Sequence, residues 1–287
     1  MAVSSQIWRV RGGRELDAGE HTIIMGVLNV TPDSFSDGGV HFDAANAIRS
    51  GEEMAAEGAD ILDIGGESSR PGRAEELTDA QEWERIAPVL IELRRRLPGV
   101  VLSVDTYREE TARRALAEGA DVINDIYALR RSPGLAAAVA EAGAGLVLMH
   151  MQGDPATMQQ EPQYGDLLVE VKDFLQERMD VARAAGVAEE AIVVDPGIGF
   201  GKTYRHNVQL LAGLEYLRLL QRPLVVGASR KAFLGHLTGV SDAGDRAEAS
   251  LAAACAAVMA GASVVRVHDV KATRRALAVI DAVRAEM

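Results

Sequence analysis

Short aliphatic runs recur along the whole chain, and longer amphipathic stretches separate them. The runs lie at 22–29, 60–64, 100–105, 121–124, 145–150, 191–195, 223–227 and 263–267. The clearest amphipathic stretches are 44–58, 108–119, 164–186 and 245–261, and several of them close on glycine, a common helix terminator. Apolar runs this short, each followed by a helical pattern, are typical of buried parallel strands.

A three-residue tag marks the passage from helix to strand at three places. It reads Gly58-Ala59-Asp60, Gly119-Ala120-Asp121 and Gly261-Ala262-Ser263. This echo indicates a repeated strand–helix unit, and eight such units predict a single (β/α)8 TIM barrel of the α/β class. A doubly wound sheet is the alternative, because strand order cannot be read from sequence. The barrel is favoured because polar residues fall at the carboxyl ends of the runs, where barrel active sites gather.

Length and composition fit this architecture. The chain has 287 residues, of which 48% are hydrophobic and only 4% aromatic, so the core must be aliphatic and rich in alanine. Because no linker-like segment interrupts the pattern, we expect one domain over residues 1–287, with 1–20 as a short N-terminal extension that covers the barrel.

The net charge of -12 argues against a surface that binds nucleic acid, and it favours a cytoplasmic enzyme. An anionic substrate would then need arginine, lysine or a metal ion in its site. Cys255 is the one cysteine, so no disulfide can form within the chain and a reducing compartment is expected. Residues 1–13 lack the apolar core of a secretory signal. The uncharged stretch 249–265 is built from Ala, Ser and Gly, which predicts a buried helix and strand in preference to a membrane span.

The first run ends in Asn29 and opens into a polar loop, 31–39, that is long enough to act as a lid. An amide at this position can bind a hard cation or an anion, although a turn or capping role is the alternative. Arg70, on a loop framed by glycine and proline after the second run, could clamp a carboxylate or simply face solvent.

Polar residues also end the third, fourth and sixth runs, as Asp105, Asn124 and Asp195. Such groups at the mouth of an apolar barrel are costly unless paired. A ligand with several N–H donors, such as the amino-pyrimidine edge of a pterin or purine, would satisfy them. Two alternatives remain open here: Asp105 could cap the next helix, and Asp125 could replace Asn124 in the pocket.

The segment 195–203 resembles a phosphate-binding loop, but Pro196 stands where a Walker loop needs glycine, and the glycine spacing misses the dinucleotide fingerprint. We interpret its glycines as allowing the backbone and Phe200 to approach a flat ligand.

Ser229 and Lys231 follow the seventh run, and Arg266 and His268 end the eighth. Spacing of two places Arg266 and His268 on one side of a strand, where barrels often bind phosphate. A guanidinium and an imidazole there suit a diphosphate, and an ion pair of Arg266 with Asp269 or Asp245 is the structural alternative. His150 could line the pocket. The sequence has no zinc-ligand spacing and no serine-hydrolase elbow.

Taken together and in this order, the motifs resemble the dihydropteroate synthase family. The matching segments are 25–39, 63–72, 103–106, 123–126, 195–202, 227–231 and 266–270, within a resemblance that covers about residues 22–270. The resemblance implies a (β/α)8 barrel, a Mg2+ cofactor and a homodimer.

The resemblance also implies three groups of site residues. The pterin would be held by Asp105, Asn124, Asp195 and Lys231, with Met149 lining its pocket. The diphosphate and Mg2+ would be held by Asn29, Arg266 and His268, with Asn29 as the metal ligand. The p-aminobenzoate site would contain Ser69, Arg70, Ser229 and Phe200, with Phe35 and Pro71. The catalytic residues would be Asp105, Lys231, Arg266 and His268. Ser69 departs from the threonine common in the family, which leaves p-aminobenzoate affinity and the response to sulfonamides open.

The implied reaction joins 6-hydroxymethyl-7,8-dihydropterin diphosphate to p-aminobenzoate and releases pyrophosphate. A catalytically silent pterin-binding paralogue and a pterin-dependent methyltransferase are the rival functions. The retention of Asn29, Arg70, Lys231, Arg266 and His268 speaks against the silent paralogue.

Overall fold

Eight parallel strands form a sheet that closes on itself. The computed structural model describes residues 7–19, 21–30, 40–68 and 77–287, with the backbone alone at 40–43. Its strands are β3 (Ile23–Asn29), β4 (Ile61–Gly65), β5 (Val101–Asp105), β6 (Val122–Asp125), β7 (Gly145–Met149), β8 (Ile192–Asp195), β9 (Val225–Val226) and β10 (Val264–Val267). Their order in the sheet is β8-β7-β6-β5-β4-β3-β10-β9. A parallel bridge between Val194 and Leu224 joins the two ends, so the predicted (β/α)8 barrel is confirmed.

The helices alternate with these strands along the chain. They are α1 (Val40–Ala56), α2 (Asp79–Arg96), α3 (Glu109–Ala117), α4 (Leu135–Ala142), α5 (Leu167–Ala184), α6 (Tyr204–Ala212), α7 (Leu214–Leu217), α8 (Ala232–Thr238), α9 (Ala247–Met259) and α10 (Val270–Ala285). Stretch 249–265 is α9 followed by β10, as predicted. Among the described helices, none combines the length and the apolar character that a membrane crossing requires.

Strand residues alternate between two apolar layers, as the pleat of a strand demands. Ile24 and Leu28 of β3 pack outward with the helices. A second cluster draws on all eight strands and, among the described residues, on no helix, so it fills the barrel interior. Its strand members are Ile23, Met25, Ile61, Val101, Val122, Val147, Val193, Val225 and Val264.

A hairpin formed by β1 (Ile7–Arg9) and β2 (Glu15–Asp17) adds its own side chains to that interior cluster. Trp8 is fully buried, and its indole N–H donates to the carbonyl of Ala191, just before β8, at 3.0 Å. A Cβ on Gly145, at the start of β7, would lie only 3.1 Å from the indole nitrogen, so a larger residue there would press against Trp8. The hairpin therefore packs at the end of the barrel where the strands begin, and it leaves the opposite end for the site.

The glycine tags act as helix terminators. Gly58, Gly119 and Gly261 have φ of +101°, +103° and +104°, a left-handed conformation that favours glycine at helix ends. The third residue of the tag then ties the new strand to its neighbour. Asp60 accepts from the Ile24 N–H at 2.8 Å, and Asp121 accepts from the Leu102 N–H at 2.9 Å.

Candidate active site

Three of the predicted site residues share one hydrogen-bonded row across the barrel mouth. Asn29 of β3 lies opposite Gly65 of β4, Gly65 opposite Asp105 of β5, and Asp105 opposite Asn124 of β6. Because parallel strands in register bring equivalent positions together, side chains up to 95 residues apart in sequence, from 29 to 124, fall in one row across four strands. The row places amide and carboxylate groups side by side, as the strand ends predicted.

Asp63 lies below this row and is the residue that sequence reasoning missed. It is fully buried in β4, and its carboxylate accepts from the Ser103 hydroxyl at 2.6 Å and from the Asn124 amide at 3.1 Å. The Arg266 Nε donates to the same carboxylate at 2.6 Å. The signal was present in the sequence, since an aspartate inside an apolar barrel strand needs a partner.

Arg266 bridges the carboxylates of Asp63 and Asp105. Its Nη2 donates to Asp105 at 3.0 Å and its Nε donates to Asp63, so the positive charge of the guanidinium is balanced within the site. Neither predicted partner is used: among the described residues Arg266 pairs with Asp63 and Asp105 and not with Asp245, and Asp269 pairs with Arg230 at 2.8 Å. Pairing through Nε and Nη2 leaves Nη1 as the guanidinium nitrogen that neither carboxylate uses.

The contacts of Asp105 and Asp125 bear on two further alternatives. Asp105 does not cap the next helix, since α3 begins at Glu109 with Arg108 as its N-cap. Asp125 points away from the Asn124 network: it accepts from the backbone N–H groups of Tyr127 at 2.8 Å and Leu129 at 2.6 Å. It thereby supports the left-handed backbone of Ala128 and Leu129, whereas the Asn124 amide donates to Asp63.

Ser229 and Lys231 reach the same mouth from the loop after β9. The Ser229 hydroxyl lies 2.9 Å from the His268 Nδ1, which joins this loop to the end of β10. The Lys231 ammonium lies 4.0 Å from the centroid of the Phe200 ring, a cation–π contact. Arg230 between them adopts φ of +59°, and its carbonyl accepts from Arg246 at 3.1 Å.

A methionine-rich apolar surface flanks these polar groups. Met149 and Phe200 are both buried and belong to one cluster, whose other members are Ile126, Tyr127, Met151 and Met158. Asp195 sits opposite Met149 in the β7–β8 register and accepts from the Gly197 N–H at 2.6 Å. Flexible thioethers beside an aromatic ring suit a flat heterocycle. His150 lies beside this surface, where its ring packs edge-on against Phe174 at 4.9 Å.

Relatives of known name match this chain over most of its length. A family profile described as "Pterin binding enzyme" matches residues 25–268. The dihydropteroate synthase of Escherichia coli (strain K12) is 45% identical over 270 residues, which are 94% of this chain and 94% of that protein. The chain belongs to the dihydropteroate synthase family. Its function is accordingly the transferase reaction of that family in folate biosynthesis, and the methyltransferase alternative is set aside.

Solved structures of dihydropteroate synthases share the fold closely. The Xanthomonas albilineans enzyme, solved with 4-aminobenzoic acid, has a TM-score of 0.90 and 45% identity, covering 98% of this chain and 99% of that one. The Burkholderia cenocepacia enzyme, complexed with 7,8-dihydropteroate, has a TM-score of 0.87 and 46% identity, covering 98% of each chain.

Some family positions fall outside the described residues. They are Ser69 and Arg70, with Phe35, Pro71 and the polar loop 31–39. Their roles toward the second substrate of a dihydropteroate synthase stay predictions.

The oxygen atoms near Asn29 are suitable ligands for a hard metal ion. The Asn29 amide oxygen and the Asp105 carboxylate both lie 3.8 Å from the place that a Cβ on Gly65 would occupy, so glycine keeps open the space between them. Within the described ranges, no group of three or more His, Cys, Asp or Glu is arranged to hold a metal. Mg2+ characteristically uses one or two protein oxygens and takes its other ligands from phosphates and water. The donors therefore fit an ion that arrives with a diphosphate.

Burial perturbs the two carboxylates that would face a ligand. Desolvation raises the pKa of Asp105 to about 7, against the opposing charge of Arg266. Desolvation also raises the pKa of Asp195 to about 6, against the Gly197 N–H and the Lys231 charge. Both groups therefore ionise only as the pH rises through this window.

We expect kcat/KM of the wild-type enzyme to rise with pH between about 6 and 7 and then to level, because the ionised carboxylates are the better acceptors. The pH profile of Asp105→Asn should lack the part of this rise that is centred near pH 7. Steady-state rates between pH 5 and 9 measure it, with Asp121→Asn at the opposite end of the barrel as the control. A rise of wild-type kcat/KM centred near pH 4 would show that burial does not raise the pKa of these carboxyl groups.

Asp63→Asn should lower the free energy of unfolding by ~3–5 kcal/mol, because it removes the charge of a fully buried carboxylate that pairs with the partly buried Arg266. Ser103→Ala removes only one hydrogen bond to the same carboxylate and should cost ~1–3 kcal/mol. Urea denaturation followed by circular dichroism measures both. Equal losses in the two variants would contradict a dominant ion pair.

Proposed function

We propose that the barrel mouth binds 6-hydroxymethyl-7,8-dihydropterin diphosphate and p-aminobenzoate and joins them with release of pyrophosphate. The observation that carries this proposal is the shared row of Asp105 and Asn124, with Arg266 bonded to Asp105. Acceptors for the N–H groups of a heterocycle thus lie beside a cation suited to a leaving diphosphate. The complex of the Burkholderia relative with 7,8-dihydropteroate supports the same products.

The pterin is recognised through acceptors at its polar edge and apolar contacts on its faces. Asn124 uses its amide nitrogen on Asp63, which leaves the amide oxygen to accept a ligand N–H. Asp105 and Asp195 supply carboxylates on either side of it, and Met149 supplies an apolar contact. A ligand that donates to both carboxylates favours their ionised forms, so binding offsets part of their desolvation.

The diphosphate lies at the other side of the mouth. Arg266 Nη1, the His268 imidazole and the Asn29 amide are the groups assigned to it. Bound Mg2+ would neutralise charge that develops on the leaving oxygens. The Asp63 and Asp105 carboxylates hold the guanidinium in place before the substrate arrives, so little reorganisation is needed during the reaction.

Bond breaking precedes or accompanies attack by the amine. As the C–O bond of the pterin methylene lengthens, positive charge develops on carbon, and the ionised Asp105 carboxylate stabilises it. The p-aminobenzoate nitrogen forms the new C–N bond and loses one proton, while pyrophosphate leaves with the C–O electron pair. Ser229 and Phe200, near Lys231, form the described part of the p-aminobenzoate site.

The decisive experiment mixes the purified protein with the pterin diphosphate, p-aminobenzoate and Mg2+, and quantifies dihydropteroate and pyrophosphate. Equal amounts of both products are expected. Arg266→Gln should lower kcat by roughly 10²–10³-fold, since a preorganised charge in the site is removed. Arg274→Gln is the matched control, because Arg274 pairs with Asp60 where the strands begin. Pterin binding without product would support the silent paralogue instead.

A homodimer is also proposed, through a face formed by α6, α8 and α9. These helices pack against one another, and they expose Tyr204, Val208, Leu237 and Met259. Several large apolar side chains exposed on adjoining helices are typical of a protein–protein interface. The single Cys255, which has no disulfide partner within the chain, leads us to place the enzyme in the cytoplasm.

Leu237→Glu should convert the dimer to monomer, because a charge would be buried in the apolar interface. Light scattering coupled to size exclusion measures the mass. Val283→Glu on α10 is the matched control at an exposed valine outside this face. An unchanged mass for both variants would exclude this face as the interface.

A further inference from the structure

Lys202 is a fully buried lysine whose amine meets no carboxylate of the described residues at hydrogen-bond distance. The side chain lies among the largest buried ones, with 1% of its surface exposed. Its Nζ lies 2.9 Å from the His150 Nδ1 and 2.9 Å from the Phe200 carbonyl oxygen, with the His150 carbonyl at 3.5 Å. Lysine normally extends its amine to water, so burial with these neutral partners requires a reason.

The sequence context suggests phosphate binding, but the geometry excludes it. Lys202 follows the glycines of 197–201 as the lysine of a phosphate loop would. The buried amine is turned toward the protein interior, and its hydrogen bonds go to protein groups. Its role must therefore lie in the arrangement of the surrounding chain.

The glycine loop and the segment after β7 meet backbone to backbone. Gly197 and Gly201 have φ of +69° and +61°. A Cβ on Gly197 would overlap the His150 carbonyl oxygen, and a Cβ on Gly201 would overlap that of Gln152. Lys202 joins the two sides of this contact, because its amine binds the Phe200 carbonyl on one side and His150 on the other.

The contact positions one wall of the site. The carbonyl that Lys202 holds belongs to Phe200, whose ring lies under the Lys231 ammonium. A Cβ on Gly199 would lie 3.0 Å from the Lys231 Cδ, so the loop backbone and that lysine are already in close contact. A shift of the loop would therefore change the position of Phe200 relative to Lys231.

We propose that Lys202 is a positioning residue that fixes the loop 197–201 against His150, so that Phe200 and Lys231 form a rigid wall for the aromatic amine substrate. The identity of that substrate rests on the proposed function. Lys202 touches neither substrate and acts only through Phe200 and the loop backbone.

The ionisation of the pair is consistent with this role. Burial lowers the pKa of His150 to about 2, so the imidazole is a neutral acceptor at physiological pH. Burial lowers the pKa of Lys202 to about 7, while the Asp195 charge opposes that change and the Lys231 charge adds to it. Arg130, His206 and Tyr164, whose ring centroid lies 6.0 Å from that of His150, are further ionisable groups that face the pair.

The test compares Lys202→Met, which keeps the length but removes the donors, with wild type. We expect the KM for p-aminobenzoate to rise about tenfold, the equivalent of one hydrogen bond to a charged group. The dissociation constant of the pterin diphosphate and kcat should change less than about threefold. Thr22→Val is the matched control, since it removes the Asp281 hydrogen bond at 2.6 Å near the opposite end of β3.

A second readout needs no activity. Hydrogen exchange of the peptide that covers 197–202 should become faster in Lys202→Met and stay unchanged in Thr22→Val. If Lys202→Met fails to fold, His150→Phe removes the acceptor but keeps a ring against Phe174, and it should show the same pattern. Lys202→Gln, which retains a donor, should recover part of the effect.

Unchanged KM for p-aminobenzoate with unchanged exchange would overturn the proposal. An equal loss of affinity for both substrates, together with an equal fall in kcat, would also overturn it. Lys202 would then be a residue that stabilises the fold in general. A wild-type protein that forms no dihydropteroate would contradict the proposed function instead, and the exchange measurement would still decide the role of Lys202.

Discussion

The ion pairs of Arg266 with Asp63 and Asp105 are the constraint on which the site depends. Removing three charged groups from water is costly, and their attraction offsets that cost only when geometry and further hydrogen bonds are favourable. Ser103 and Asn124 supply those bonds to Asp63. The network therefore links β4, β5, β6 and β10 at the mouth of the barrel, and it holds a guanidinium in place before any ligand binds.

Around this network, loop backbones are held by side chains. Asp195 accepts from Gly197, Asp125 supports the left-handed turn after β6, and Lys202 joins the glycine loop to His150. The Gly199 N–H donates to Asn207, and the Gly201 carbonyl accepts from Tyr164. Loops often carry functional residues but are more mobile than strands and helices. These hydrogen bonds restrict the loops where the substrates must be positioned.

The sequence predicted the strand ends to within one or two residues, because a buried parallel strand is apolar until it leaves the barrel. The seventh run is the least regular: only Val225–Val226 is a strand, and Leu224 contributes the bridge that closes the barrel. Asp63 was overlooked because its role requires Arg266, which lies 203 residues away in sequence. Lys202 was grouped with a possible ligand loop because burial cannot be read from a motif.

By itself, the sequence determined the alternation of strands and helices, the glycine terminators and the residues at the strand ends, because these follow from local periodicity and backbone conformation. Only the tertiary structure decided which charges neutralise one another. Arg266 could have paired with Asp269, Asp105 could have capped a helix, and Asp125 could have faced the pocket. The register of the strands settled the first two choices, since it brings the side chain of Arg266 within hydrogen-bond distance of Asp63 and Asp105. The turn after β6 settled the third, because its backbone N–H groups bind Asp125.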